Sequence, residues 1–164
     1  MDAIKIQKFT NLDRKAINLL TEELQNFLIK IDPLKRLKIV KDFGEKYSDF
    51  MFKKILEKDG AIFVAKADKK TVGFIAGIIE EQREEDHLGL VESKGGRVIE
   101  LIINEKYRGQ NIGKILMLAM ENFFKTKNCD IIRVEVFVPN TNAIKFYKKI
   151  KYKPRLIDMI KTIK

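Results

Sequence analysis

The chain has 164 residues, 45% hydrophobic and 34% charged. This predicts a single domain over residues 1–164, too short for a cofactor domain plus a separate substrate domain. No apolar run of about 18 residues is present to cross a membrane, and the start lacks the apolar core of a secretory signal. The single cysteine, Cys129, excludes an internal disulfide and lies in no metal-ligand pattern. We therefore expect a cytoplasmic protein with no metal.

The formal net charge of +10 is unevenly distributed along the chain. Residues 142–164 carry eight Lys or Arg against one acid, whereas residues 80–92 carry six acids against one arginine. A basic end can attract phosphates and an acidic loop can attract cations. A solvated surface explains either run equally well, so neither defines a site by itself.

The first 80 residues predict a strand, a helical region and a hairpin. A short strand over residues 4–9 precedes residues 11–58, which lack period-2 alternation and are typical of helices, broken near Pro33. Residues 61–67 and 71–80 have the pattern of strands joined by a polar turn. These two strands should pair as a hairpin.

The second half of the chain alternates strands with helices. Residues 97–103 form a nearly continuous apolar run, typical of a central strand covered on both faces. Residues 112–124 place apolar side chains at the i, i+3, i+4 spacing of an amphipathic helix. A strand over residues 132–138, a short helix over 143–150 and a β-like segment over 152–163 follow. This order predicts an α/β or α+β fold, in which helices cover a mixed sheet.

The segment from Tyr107 to Lys114, between the central strand and the long helix, is typical of a phosphate-binding loop. A loop that enters a helix exposes N–H groups without intrahelical partners, and the helix dipole adds positive potential there. Gly109 and Gly113 let the backbone approach an anion closely, and Asn111 tolerates positive φ. The spacing fits neither a Walker A loop nor the fingerprint G-x-G-x-x-G. A tight turn without a ligand stays an alternative.

Two motifs resemble those of the GNAT superfamily of N-acetyltransferases. The run Arg108-Gly109-Gln110-Asn111-Ile112-Gly113 resembles the pattern R/Q-x-x-G-x-G/A, with Asn111 in place of its first glycine. The run Asn140-x-x-Ala143-x-x-Phe146-Tyr147-x-x-x-Lys151-Tyr152 resembles N-x-x-A-x-x-F/L-Y-x-x-x-G-F/Y, with Lys151 in place of glycine. The resemblance covers about residues 61–155 in detail.

The resemblance implies a central mixed, mostly antiparallel sheet flanked by helices, and acetyl-coenzyme A as cosubstrate. In such proteins the loop binds the coenzyme A pyrophosphate, and the strand before it holds the pantetheine arm through its backbone. Carried over to this chain, the expected coenzyme-binding residues are Leu101, Ile102, Ile103, Arg108, Gly109, Gln110, Asn111, Ile112, Gly113, Lys114, Asn140, Ala143, Phe146 and Tyr147. Asn140 can also cap the helix that follows it.

Two residues are candidates for the chemical step. An amine attacks a thioester only after losing a proton, and Glu100, a lone acid within an apolar strand, is the candidate general base. By resemblance, Tyr147 is the candidate acid that protonates the departing thiolate. Each has an alternative: Glu100 as a water-facing carboxylate beside a water relay, and Tyr147 as a packing residue. His87 and Cys129 are expected to be a surface and a packing residue.

The sequence therefore predicts an N-acetyltransferase that moves acetyl from acetyl-coenzyme A to a primary amine by direct attack in a ternary complex. The acids of residues 80–92 should border the acceptor side of the cleft, which favours a cationic small molecule or a basic peptide as acceptor. A catalytically silent acyl-coenzyme A-binding regulator and a basic nucleic-acid-binding module are the alternatives. The resemblance also leaves a homodimer open.

Overall fold

The computed structural model describes residues 4–163, which contain five strands and four helices. The strands are β1 (Lys5–Lys8), β2 (Ala61–Ala67), β3 (Lys70–Glu80), β4 (Gly95–Ile103) and β5 (Ile131–Val134). The helices are α1 (Arg14–Ile31), α2 (Phe43–Glu57), α3 (Ile112–Thr126) and α4 (Thr141–Lys149). No helix within this described range is long and apolar enough to cross a membrane.

The strands form one sheet in the order β1-β2-β3-β4-β5. The first three pairings are antiparallel, which a short turn such as that between β2 and β3 permits. The pairing of β4 with β5 is parallel and needs a crossover, which α3 provides. The predicted fold class, a mixed and mostly antiparallel sheet flanked by helices, is confirmed.

Each face of the sheet is covered by a separate apolar core. On one face, α3 packs its Leu116, Met120 and Phe124 against the sheet. On the other face, α1 and α2 contribute Ile17 and Met51. The middle of β3 is buried throughout because it is covered from both sides. The prediction of an apolar central strand covered on both faces thus applies best to β3, which lies next to β4.

A β-bulge interrupts the pairing of β3 with β4. Ala76 faces Glu100 whereas Gly77 faces Val98, so Ile99 is an extra residue in β4. Val98 belongs to the core on the α3 side, whereas Ile99 packs into the core on the side of α1 and α2. The bulge therefore breaks the alternation of side chains one residue before Glu100.

Two predicted strand segments are wrong. The strand expected over residues 132–138 ends at Val134, because β4 and β5 pair only as far as Val98 and Val134 and the chain has no ladder partner beyond. The β-like segment of residues 152–163 forms no strand within the described part of the chain. Its Leu156 and Met159 are each 89% exposed. Alternating composition does not make a strand without a neighbour to pair with.

Asp13 is a buried charge that joins the start of α1 to the hairpin of β2 and β3. It is 1% exposed and accepts hydrogen bonds from the N–H and hydroxyl of Thr10 and the hydroxyl of Thr71. The Lys66 ammonium lies 2.9 Å from its Oδ1. Burial raises the pKa of Asp13, but the hydrogen bonds from Lys66, Thr71 and Thr10 outweigh it and lower the pKa to about 2.

Replacing Asp13 with alanine should lower the free energy of unfolding at pH 7 by about 3 kcal/mol, because Lys66 loses its buried partner. The folded-state pKa lies below the ordinary value, so this stabilisation is present above about pH 4 and is lost as the pH falls through about 2. Urea unfolding at pH 7 and pH 3 measures both effects. Asp49→Ala is the control, since the exposed pair of Asp49 with Arg14 contributes at most about 1 kcal/mol. Equal losses for the two variants would contradict the assignment.

Candidate active site

The predicted phosphate-binding loop has the backbone geometry of an anion site. Gly109 has φ of 79° and Asn111 has φ of 62°, and Asn111 is the residue from which α3 begins. Asparagine is one of the few residues that tolerate this left-handed conformation, which explains its presence where the GNAT pattern has glycine. In the described chain, the N–H groups of residues 109–114 donate to no other residue. These donors, with the dipole of α3, are available to an anion.

Gly113 is the point at which the two GNAT-like motifs meet. A Cβ atom added there would lie 3.1 Å from Cδ1 of Ile103 and 3.3 Å from Cζ of Phe146. The first turn of α3 therefore approaches both the end of β4 and the ring that α4 projects toward it. Phe146 packs into the core on the α3 side, as predicted.

Glu23 on α1 fastens the start of the loop, and no motif predicted it. Its two carboxylate oxygens accept hydrogen bonds from the Glu105 N–H and the Asn104 side-chain amide, each 3.1 Å long. The guanidinium of Arg108 donates to the carbonyl oxygen of Ile103 at 3.1 Å. Arg108 thus folds back on the end of β4 and closes the turn before Gly109.

A cleft opens where β4 and β5 separate. β4 stays paired with β3 as far as Ile103 but leaves β5 after Val98, so one edge of its second half is free. The cleft, of about 290 Å³, is lined by residues of α1, α2, β4 and α4 and by the chain after β5. It brings together five of the predicted site residues, namely Glu100, Leu101, Asn140, Ala143 and Tyr147.

The other predicted residues lie around the cleft rather than in its lining. Ile102 packs into the core on the side of α1 and α2, and Ile103 packs on the α3 side, so both are available to a ligand mainly through their backbone. Asn140 caps α4, since its side-chain oxygen accepts a hydrogen bond from the Ala143 N–H at 3.2 Å. Because Asn140 also lines the cleft, capping does not exclude contact with a ligand.

Glu100 and the two tyrosines beside it form the polar part of the cleft. The Tyr47 hydroxyl donates a hydrogen bond of 2.5 Å to Glu100 Oε1. Burial raises the pKa of Glu100 to about 7, although the hydrogen bond from Tyr47 acts in the opposite direction. Burial and the nearby charge of Glu100 raise the pKa of Tyr147 to about 12. At neutral pH, Glu100 can therefore take up a proton while Tyr147 keeps one to donate.

The acidic loop does not line the cleft, contrary to the expectation that it borders the acceptor side. No residue of 81–94 is among those lining it, and Arg83 pairs with Glu85 at 3.0 Å and with Asp86 at 3.4 Å. The second acid in the lining is Glu135, which the motifs missed and which Arg97 holds at 2.5 Å. Its strand-like neighbours gave no signal, because its place depends on where β4 and β5 separate.

The two isolated residues have the roles expected of them. His87 is exposed in the short helical turn Glu84–Leu88. Cys129 is half-buried and packs against the core on the α3 side, and burial raises the pKa of its thiol. Neither residue lines the cleft.

The fold and the cleft are those of an acetyltransferase, and comparison with known proteins agrees. The model of the acetyltransferase (GNAT) family matches residues 21–152, so the chain belongs to this family. It is 33% identical over 94 residues to an uncharacterized N-acetyltransferase of Methanocaldococcus jannaschii, MJ1530, covering 57% of this chain and 53% of that protein. It is also 33% identical over 105 residues to an N-alpha-acetyltransferase of Sulfurisphaera tokodaii, covering 63% of each chain.

A solved structure shows the same fold over nearly the whole chain. The BH1408 protein of Bacillus halodurans superposes with a TM-score of 0.83 at 16% identity, covering 97% of this chain and 99% of that one. The sequence relatives, by contrast, are matched over only about half to two thirds of their own lengths.

Proposed function

We propose that the protein transfers an acetyl group from acetyl-coenzyme A to a primary amine, by direct attack within a ternary complex. The observation that carries the proposal is a single cleft that joins the free N–H groups of residues 109–114 to Glu100 and Tyr147. The N–H groups suit the pyrophosphate, and the free edge of β4 suits the amides of the pantetheine arm. Asn140, in the lining, adds an amide that can hydrogen-bond the same arm.

The chemistry assigns one proton transfer to each polar residue. Acetyl-coenzyme A supplies a thioester, and the amine nitrogen forms a bond to its carbonyl carbon as the carbon–sulfur bond breaks. Glu100 takes the proton that the amine must lose, and a pKa near 7 suits a base at neutral pH. Tyr147 gives its phenol proton to the sulfur, because burial keeps it protonated.

The acceptor we favour is a cationic small molecule or a basic peptide. Glu100 and Glu135 both line the cleft, and carboxylates attract an ammonium group. A relative is named an N-alpha-acetyltransferase, which supports a peptide α-amino group as a second candidate. An α-amino group has a pKa of roughly 7.7–8.0 against about 10.4 for lysine, so it asks less of the base.

A thiol-release assay with acetyl-coenzyme A tests the proposal. The panel should contain a polyamine, an aminoglycoside, a basic peptide with a free N-terminus, and the same peptide blocked at its N-terminus. Thiol release with at least one amine, lost in Glu100→Gln, would support it. Binding of acetyl-coenzyme A without release by any amine would favour the silent regulator, and nucleic-acid binding without coenzyme binding would favour the basic module.

Neutralising the acidic loop should have a small, salt-dependent effect. Changing Glu84, Glu85 and Asp86 to their amides should lower kcat/KM for a cationic acceptor about threefold at low salt and less at physiological salt, because these acids act only at long range. Arg83 already offsets part of their charge. An unchanged kcat/KM at both salt concentrations would remove the loop from substrate choice.

A further inference from the structure

Tyr47 is the one cleft residue that contacts the candidate base and belongs to neither motif. We propose that Tyr47 is a positioning residue, which orients the Glu100 carboxylate in the cleft and stabilises its ionised form. The inference rests on the proposed role of Glu100 as the general base. It assigns to α2 a part in the chemistry beyond packing against α1.

The hydrogen bond itself carries the argument. The Tyr47 hydroxyl lies 2.5 Å from Glu100 Oε1, and no other residue of 4–163 donates a hydrogen bond to this carboxylate. A phenol that donates to a carboxylate forms a charge-assisted bond, which is about twice as strong as the bond to a neutral acid. The contact therefore favours the ionised carboxylate over the protonated one.

The packing of α2 fixes where the Tyr47 hydroxyl lies. A Cβ atom at Gly44 would be 2.3 Å from the carbonyl oxygen of Asn18, so the backbone of α2 rests directly on α1. Ser48 and Met51 are buried in the same helix. The ring of Phe43 stacks on that of Tyr47, with centroids 5.4 Å apart and planes 18° from parallel. Tyr47 is thus held by a helix even though it remains 38% exposed.

Glu100 lacks another group that would stabilise its charge. Of the elements around it, α4 contributes Tyr147, the chain after β5 contributes Glu135, and the residues of α1 in the lining are not titratable. Its partner on β3 is Ala76. Glu135 is a like charge that Arg97 already holds. Burial therefore acts against ionisation of Glu100, and the Tyr47 hydroxyl is the contact that acts for it.

Titration of the Glu100 carboxyl carbon by NMR tests the proposal without any acceptor. The resonance is assigned by its loss in Glu100→Gln and followed with pH in the parent protein and in Tyr47→Phe, which removes only the hydroxyl. The midpoint should rise by about one pH unit in Tyr47→Phe. Asp49→Asn, on the exposed side of the same helix, should leave it unchanged. An unchanged midpoint in Tyr47→Phe would overturn the proposal.

Kinetics then separate this inference from the proposed function. With an active amine, Tyr47→Phe should move the acid limb of kcat/KM up by about one pH unit, which is about fivefold at pH 7. In a Glu100→Gln background, Tyr47→Phe should change nothing further, and an equal effect in both backgrounds would assign Tyr47 to general packing. If no amine is acetylated, the proposed function fails, while the titration still decides whether Tyr47 controls Glu100.

Discussion

Gly113→Leu should weaken the binding of acetyl-coenzyme A by about 100-fold or more. Its side chain would meet Ile103 and Phe146, which already lie within 3.4 Å of a Cβ atom at this position. The first turn of α3 would be pushed away from β4, and the loss of two hydrogen bonds to a charged group is sufficient for this effect. Calorimetry and the coenzyme-dependent rise in Tm measure it.

Two further glycine variants make this result specific. Gly113→Ala adds one methyl group against two side-chain ends and should weaken binding less than leucine does, about tenfold, while preserving the fold. Gly89→Leu is the matched control, because a Cβ atom at Gly89 meets nothing within 4 Å. Parent-like affinity in both Gly113 variants would show that the start of α3 does not bind the coenzyme.

Tyr147→Phe should lower kcat by about 100-fold, the usual contribution of a positioned acid. The dissociation constant of acetyl-coenzyme A should change by less than about threefold, because the ring and its packing on Phe146 and Tyr152 remain. Since burial first, and then the charge of Glu100, raise the pKa of Tyr147 to about 12, the parent should show no loss of kcat from this group up to about pH 10.

Single-turnover measurements must accompany the Tyr147→Phe result, because slow product release would mask a change in the chemical step. Thiol release by rapid quench gives the rate of that step. If the variant and the parent release thiol at the same single-turnover rate, Tyr147 is a packing residue, and the proton for the sulfur comes from elsewhere.

The features that could be predicted from sequence are local ones. The apolar spacing of α3 predicted its buried face, with Leu116, Met120 and Phe124 in the core as expected. Asn111 could be interpreted in the same way, since positive φ at a helix start is a property of the residue and its immediate neighbours. Local spacing also indicated that Asn140 caps α4.

The features that could not be predicted depend on contacts between distant segments. Tyr47 and Glu100 are 53 residues apart in the chain, and only the packing of α2 on α1 brings them together. Glu135 has the alternating neighbours of a strand, yet it enters the cleft because β5 ends early. The tail after Tyr152 has a strand-like composition but no ladder partner, so composition alone predicted a strand there in error.

The extra residue at Ile99 also determines which changes of sequence the catalytic face can accept. Removing it would turn the part of β4 before it over, because strand side chains alternate between the two faces. Arg97 would then replace Gly96 against the ring of Phe124, where no room for a side chain exists. Evolution can therefore exchange the side chain at position 99 with little consequence, but it cannot shorten or lengthen the strand there, and an alignment gap at this point signals an error rather than a relative.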